Sequence, residues 1–141
     1  MKTGVNNLRF LFYGIFISME NSEIILTLVK IQVQFRFMHW QTTSFSQHKA
    51  YGEIYESLDE NIDTFVEACM GKHGRPKYTG GYTIEGEDLE EIELSDFLNQ
   101  INDFLISFNG IYDKNEDSDL LNIRDEMLSD VNKLRYLLTL N

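Results

Sequence analysis

Two of the three histidines in this 141-residue chain, His39 and His48, lie nine positions apart, and Asp63 and Glu67 lie four apart further on. Neutral imidazole nitrogen together with carboxylate oxygen is a donor set for iron, zinc or manganese, whereas calcium takes oxygen alone. A spacing of four on a helix puts the Asp63 and Glu67 carboxylates on adjacent turns of one face. A His-Trp pair at a helix end also serves capping and packing, and a D-x-x-x-E pair also occurs on solvated faces. Their co-occurrence makes His39, His48, Asp63 and Glu67 the candidate metal ligands.

Spacing restricts how these four could meet. From His48 to Asp63 is 15 residues, about 22 Å along a helix at 1.5 Å per residue. One chain therefore cannot place all four on one ion. A twofold-related copy, its hairpin running the opposite way, would bring its Asp63 and Glu67 to this chain's His39 and His48 and create two equivalent sites.

The elements that must position these residues read as helices. Ile24, Leu28, Ile31, Phe35 and Met38 recur at spacings of four, three, four and three after Ser22, a candidate N-cap. Thr42, Thr43 and Ser44 supply turn chemistry, and a second helix is expected from about Ser46 to Gly71, with Gly71 as its C-cap. Tyr51, Ile54, Tyr55, Leu58, Ile62, Phe65 and Cys69 form its buried face. A third helix is expected over Ser95 to Ile111, carrying Phe97, Leu98, Ile101, Phe104, Leu105 and Phe108 inward. After a polar turn at Asp113–Asp117, a fourth uses Leu120, Leu121, Met127, Leu128, Val131, Leu134 and Leu138. Two hairpins of this kind predict an all-α, antiparallel four-helix bundle.

The connection over 72–93 is too long for an ordinary helix-to-helix loop of about 2 to 8 residues, so it is either functional or a crossover that starts the next helix at the far end of the bundle. It contains four glycines, the one proline and six acids between Glu85 and Glu93. Those acids read as a solvated loop and a first helical turn, where carboxylates suit the dipole. The order GxxxxGK[ST] of a phosphate loop is absent, and DKNEDSD lacks the central glycine of a calcium loop. His73 reads as a loop residue in a basic patch. Cys69, on the buried stripe, reads as an inert small hydrophobe.

Composition narrows the function classes. There are 23 acidic against 12 basic side chains, a formal charge of -11, which opposes binding to phosphate backbones and favours cations. A single cysteine rules out an intramolecular disulfide. The apolar run Leu8–Ile17 is too short to span a bilayer, which takes about 20 residues. Residues 1–18 read as a non-structural leader or misassigned start, an ordered apolar arm against a partner, or a signal peptide. The first two leave the protein cytoplasmic, which is the expected location. Residues 19–141 then form one domain, with neither direct nucleic-acid nor membrane binding expected.

The stretch His39-Trp40-x3-Ser44-Phe45-x2-His48-x6-Tyr55-x2-Leu58-x4-Asp63-x3-Glu67 resembles the first hairpin of the Dps-like mini-ferritins. It is also similar to small ferritin-like proteins encoded by bacteriophages. The resemblance covers roughly residues 30 to 70. It implies a ferritin-like bundle with a long crossover between helices two and three, and a homodimer or higher homo-oligomer. It further implies that His39, His48, Asp63 and Glu67 form an iron site shared across the dimer, with ferroxidase-type oxidation of Fe2+ to Fe3+ by peroxide or oxygen. This sequence departs from the family in three places: the His39–His48 interval is about one turn shorter, Gly52 stands where the family carries an aspartate, and Ala68 follows Glu67 in place of arginine. The Gly52 departure implies one weaker metal position rather than a di-iron centre. Trp40 and Tyr55 are expected near that site, packing or intercepting radicals.

Two readings from other classes fit the same residues. One is a structural or adaptor bundle with a degenerate metal site, since fold does not fix function. The other is an acidic DNA mimic, with carboxylates spaced like phosphates along one surface.

Overall fold

A computed structural model describes residues 19–140, so the expected leader or arm over 1–18 lies outside the described residues. Among the described residues there are four α-helices and no strand: α1 (Asn21–Gln41), α2 (Phe45–His73), α3 (Leu94–Ile106) and α4 (Ser118–Leu137). The expected apolar stripes form the core. Ile24, Leu28, Ile31, Phe35 and Met38 are buried on α1, and Tyr51, Ile54, Leu58, Ile62, Phe65 and Cys69 on α2, whereas Tyr55, also expected on that face, is only half-buried. All six inward residues expected of the third helix segment are buried as well. On α4 the buried set is Leu120, Met127, Val131 and Leu134, while Leu121, Leu128 and Leu138 only flank the core.

Helix ends differ from expectation where local hydrogen bonds decide them. The α1 helix begins ahead of Ser22, because the Glu20 carbonyl accepts from the amides of Glu23 and Ile24, both at 3.0 Å. The α2 helix begins at Phe45 because Ser44 Oγ accepts from the Gln47 amide at 3.3 Å, satisfying a first-turn donor. It also continues through Gly71 to His73. The chain leaves it at Gly74, whose φ of 82° suits glycine and whose amide donates to the Met70 carbonyl. His73 is thus the last residue of a helix rather than a loop residue, and its Nε2 lies 3.2 Å from Asp117 Oδ1.

The segment after Gly74 is a crossover. It runs back along α1, where Gln34 Nε2 donates to the Glu87 carbonyl and Gln34 Oε1 accepts from the Glu87 amide, each at 2.9 Å. Gln41 repeats the grip two turns later, donating to Asp88 Oδ1 at 2.9 Å and accepting from the Leu89 amide at 2.8 Å. The next helix therefore starts beside the α1–α2 turn, where Phe97 packs on Phe35 with ring centroids 5.4 Å apart. As a result α3 runs parallel to α2, and both run antiparallel to α1 and α4.

The α3 helix is shorter than expected. It ends at Ile106 and tightens into a 3-10 turn over Ser107–Gly110 that still buries Phe108. Arg124 of α4 binds this end, donating from Nη1 to the Leu105 carbonyl at 2.7 Å and from Nη2 to Asn109 Oδ1 at 2.8 Å. The polar turn that follows is held by its own carboxylates. Asp113 Oδ1 accepts from the amides of Asn115 and Glu116, and Asp117 Oδ2 from that of Asp113. At this end Phe65, Phe104, Phe108 and Tyr112 pack in tilted and edge-on pairs, and Tyr112 donates to Asn21 Oδ1 at 2.8 Å. None of the described helices is long and apolar enough to cross a membrane.

Candidate metal centre at the α1–α2 turn

His39 sits in the last turn of α1 and His48 in the first turn of α2, and the tight Thr42–Ser44 connection folds one helix back on the other. Their rings stack with centroids 3.8 Å apart and planes 19° from parallel. The bonds between them are reciprocal: His39 Nδ1 lies 2.7 Å from the His48 carbonyl, and His48 Nδ1 lies 2.8 Å from the His39 carbonyl. A carbonyl only accepts, so each Nδ1 carries a hydrogen. In the neutral ring the lone pair is then on Nε2. A metal-binding histidine has this arrangement, its second nitrogen donating to a carbonyl that fixes tautomer and ring angle.

One turn beyond His48 on α2, Gly52 makes the stack possible. A Cβ at this position would lie 2.9 Å from Cε1 and 3.0 Å from Nδ1 of His39. Gly52 lines an open cleft with His39, His48, Lys49, Glu53 and Glu56. Just outside it, the Arg36 guanidinium lies 4.4 Å from the centre of the Tyr55 ring and 5.1 Å from that of Trp40. Trp40 and Tyr55 thus share one cation between them.

The four expected ligands divide into two pairs. His39 and His48 meet. Asp63 and Glu67 are exposed on the outer face of α2, with no hydrogen bond or ion pair among the described residues, about 22 Å along the helix from His48. They continue an acidic stripe of Glu53, Glu56, Glu60, Asp63 and Glu67 at spacings of three and four. Among the described residues no three His, Cys, Asp or Glu side chains are grouped so as to hold a metal ion. Nor do the stacked imidazoles chelate one ion: each lone pair lies in its own ring plane, an Nε2–metal bond is about 2.1 Å, and nearly parallel planes this far apart do not converge at that distance.

A second polar cluster lies at the other end of the bundle. Burial pushes the Cys69 thiol up, in keeping with an inert side chain, and burial likewise raises Tyr112. Lys72 pairs with Asp119 and lies 3.5 Å from Asp117, which joins the end of α2 to the start of α4.

Sequence reasoning missed Gln34, Gln100 and Arg124, all buried. Their signal was their spacing. Gln34 lies three after Ile31 and four before Met38; Gln100 three after Phe97 and four before Phe104; Arg124 four after Leu120 and three before Met127. Each is a polar residue in register with an apolar stripe.

Residues 39–138 match a family of unknown function, DUF5856, and the chain belongs to that family. It is also similar to an uncharacterized 14.6 kDa protein of the mobD-ri intergenic region of Enterobacteria phage T4, with 33% identity over 85 residues. The match covers 60% of this chain and 62% of the phage protein, so it spans less than two thirds of that relative's length. No solved structure matches the chain.

Proposed function

We propose that this protein binds Fe2+ between two copies of itself, His39 and His48 of one copy supplying imidazole and Asp63 and Glu67 of the other supplying carboxylate. The observation that carries this reading is the reciprocal bonding of the two histidines. Both Nδ1 atoms are occupied by main-chain carbonyls, which leaves both Nε2 lone pairs for a ligand beside an open cleft. Three further features support it. Asp63 and Glu67 have no partner among the described residues; a single long crossover joins two antiparallel helix pairs, the connectivity of ferritin-like bundles; and the His39-to-Glu67 stretch resembles the Dps-like mini-ferritins. The donor set suits iron, and oxidation of bound Fe2+ to Fe3+ by peroxide or oxygen is the reaction the resemblance adds.

Anaerobic Fe2+ titration, followed by oxidant and absorbance monitoring, tests this on the wild type, His48→Ala and Glu67→Ala. Saturable binding lost in each variant, and partly restored when the two variants are mixed, is the expected result, because a mixed dimer regains one complete site. Equal, unsaturable uptake by all three overturns it.

A second reading, a scaffold that docks another protein, is favoured by the aromatic rim at the same end of the bundle. Trp40 is 61% and Phe45 76% exposed. Fe2+ behaviour unchanged in both variants, together with loss of partner capture in a Trp40→Ala/Phe45→Ala variant, would select it.

A further inference from the structure

The stack and the glycine beneath it address how a metal would reach the histidines, a question that rests on the metal-binding reading above. We infer that the stacked His39–His48 pair is a closed form of the site, that Gly52 is the residue permitting it, and that metal binding requires the His39 ring to leave the space over Gly52.

Three observations lead there. First, the stacked lone pairs lie in separate, nearly parallel planes, so no ion bonds to both rings while the 3.8 Å stack persists. Second, the closed form is held by specific bonds. Each ring is tied to the other residue's carbonyl, and the His39 ring occupies the volume that any side chain at position 52 would fill. Third, the ring has somewhere to go. His39 and His48 are only half-buried, Lys49 and Glu53 beside them are exposed, and Trp40 stands out into solvent, so among the described residues no packed layer covers the outer side of the stack. Swinging His39 outward breaks the parallel alignment of the two ring planes, so that both Nε2 lone pairs can turn towards one ion. The closed form therefore competes with metal, and apparent affinity is the intrinsic affinity multiplied by the fraction of molecules that are open.

Gly52 is a positioning residue in this scheme, since it acts through His39 and need not touch the ion. A Cβ at 2.9 Å from a ring carbon is closer than packed atoms tolerate, so Gly52→Ala must displace the ring and shift the population towards the open form.

The test uses the full chain, Zn2+ as the probe, and NMR of the histidine rings. In the metal-free wild type, ring-to-ring contacts between His39 and His48 and a contact from the His39 ring to the Gly52 α-protons are expected. Zn2+ should abolish both. In Gly52→Ala the His39 contacts should be absent before metal is added, and Zn2+ should bind roughly tenfold more tightly, or better, than in the wild type. Wild type that binds Zn2+ with its ring contacts intact overturns the gate while leaving metal binding standing, and so does a Gly52→Ala variant that keeps the stack or binds more weakly with the stack lost. If neither protein binds Zn2+ at saturating concentration, the metal-binding reading itself falls, and the gate with it. The wild-type measurement decides the matter even if the variant folds poorly.

Discussion

Gln34 holds the main chain of Glu87 with both ends of its amide, 2.9 Å on each side, as a neighbouring strand would. Gln34 is 1% exposed, so the crossover is fastened from inside the bundle rather than draped on its surface. The fit is close here, since a Cβ on Gly86 would lie 3.2 Å from two ring carbons of Phe37. Gln34→Ala removes both bonds and opens a small void. A loss of about 1 to 3 kcal/mol is expected, measured by urea unfolding, with faster hydrogen exchange over residues 82–90. Exchange unchanged in that window would mean that Gln41 alone anchors the strap.

Gln100 is the opposite case. It is 6% exposed, and neither its Nε2 nor its Oε1 has a hydrogen-bond partner among the described residues. A buried amide left unpaired destabilises by about 1 to 3 kcal/mol, so Gln100→Leu, nearly equal in volume, should raise the melting temperature by several degrees. A fall would show that the amide is satisfied in solution by an internal water, which leucine would strand.

Arg124 is 5% exposed yet charged, and its guanidinium is shared among the Leu105 carbonyl, Asn109 Oδ1 and Asp125 Oδ1. The positive charge sits at the C-terminal end of α3, where the helix dipole and the unpaired last carbonyls favour it. Arg124→Met keeps much of the apolar stem but abandons all three acceptors. We expect a loss of about 2 to 4 kcal/mol, whereas Asp125→Asn, at the exposed edge, should change little. Equal effects of the two would place the energy in the ion pair instead of the helix cap.

These buried polar groups also show what sequence reading could and could not resolve. Apolar spacing identified most of each helix's inward face, because burying a stripe is what stabilises an amphipathic helix, while Tyr55, Leu121, Leu128 and Leu138 fall at its edge. Where the helices stop was less legible. Gly71 and Gly74 are equivalent as letters, and the longer helix wins because Lys72 and His73 then reach Asp117 and Asp119 across the bundle. At the candidate site, sequence brought His39 near His48 and kept Asp63 and Glu67 apart, since both statements follow from helix rise and a short turn. The stacking did not follow. It depends on which ring atom meets which carbonyl and on the missing Cβ at Gly52, which reads on paper as an absent ligand and in three dimensions as room for a ring.

The link between α2 and α4 sets a pH window for stability. Asp119 is held below its usual 3.8 by the hydrogen bond from Lys72, and Asp113 by the amides of Glu116 and Asn115. A carboxyl whose folded pKa is depressed contributes stability that is present above its unfolded pKa and is lost as pH falls through the lower, folded one. Lys72 is held above its usual 10.5, first by its bond to Asp119, so its contribution is present below 10.5 and is lost as pH rises through the higher folded value. Burial adds to the alkaline limb by pushing Tyr51 up to about 12. The urea midpoint should therefore hold steady between these limits as far as these groups decide it, dropping in acid below about pH 4 and again in strong alkali. In Lys72→Met the alkaline fall should weaken and the acid fall lose the Asp119 share, while the share from Asp113, bonded to the main-chain amides of Asn115 and Glu116, remains. An acid limb of unchanged depth in the variant would mean that the Lys72–Asp119 pair is too well screened by solvent to couple helix docking to pH.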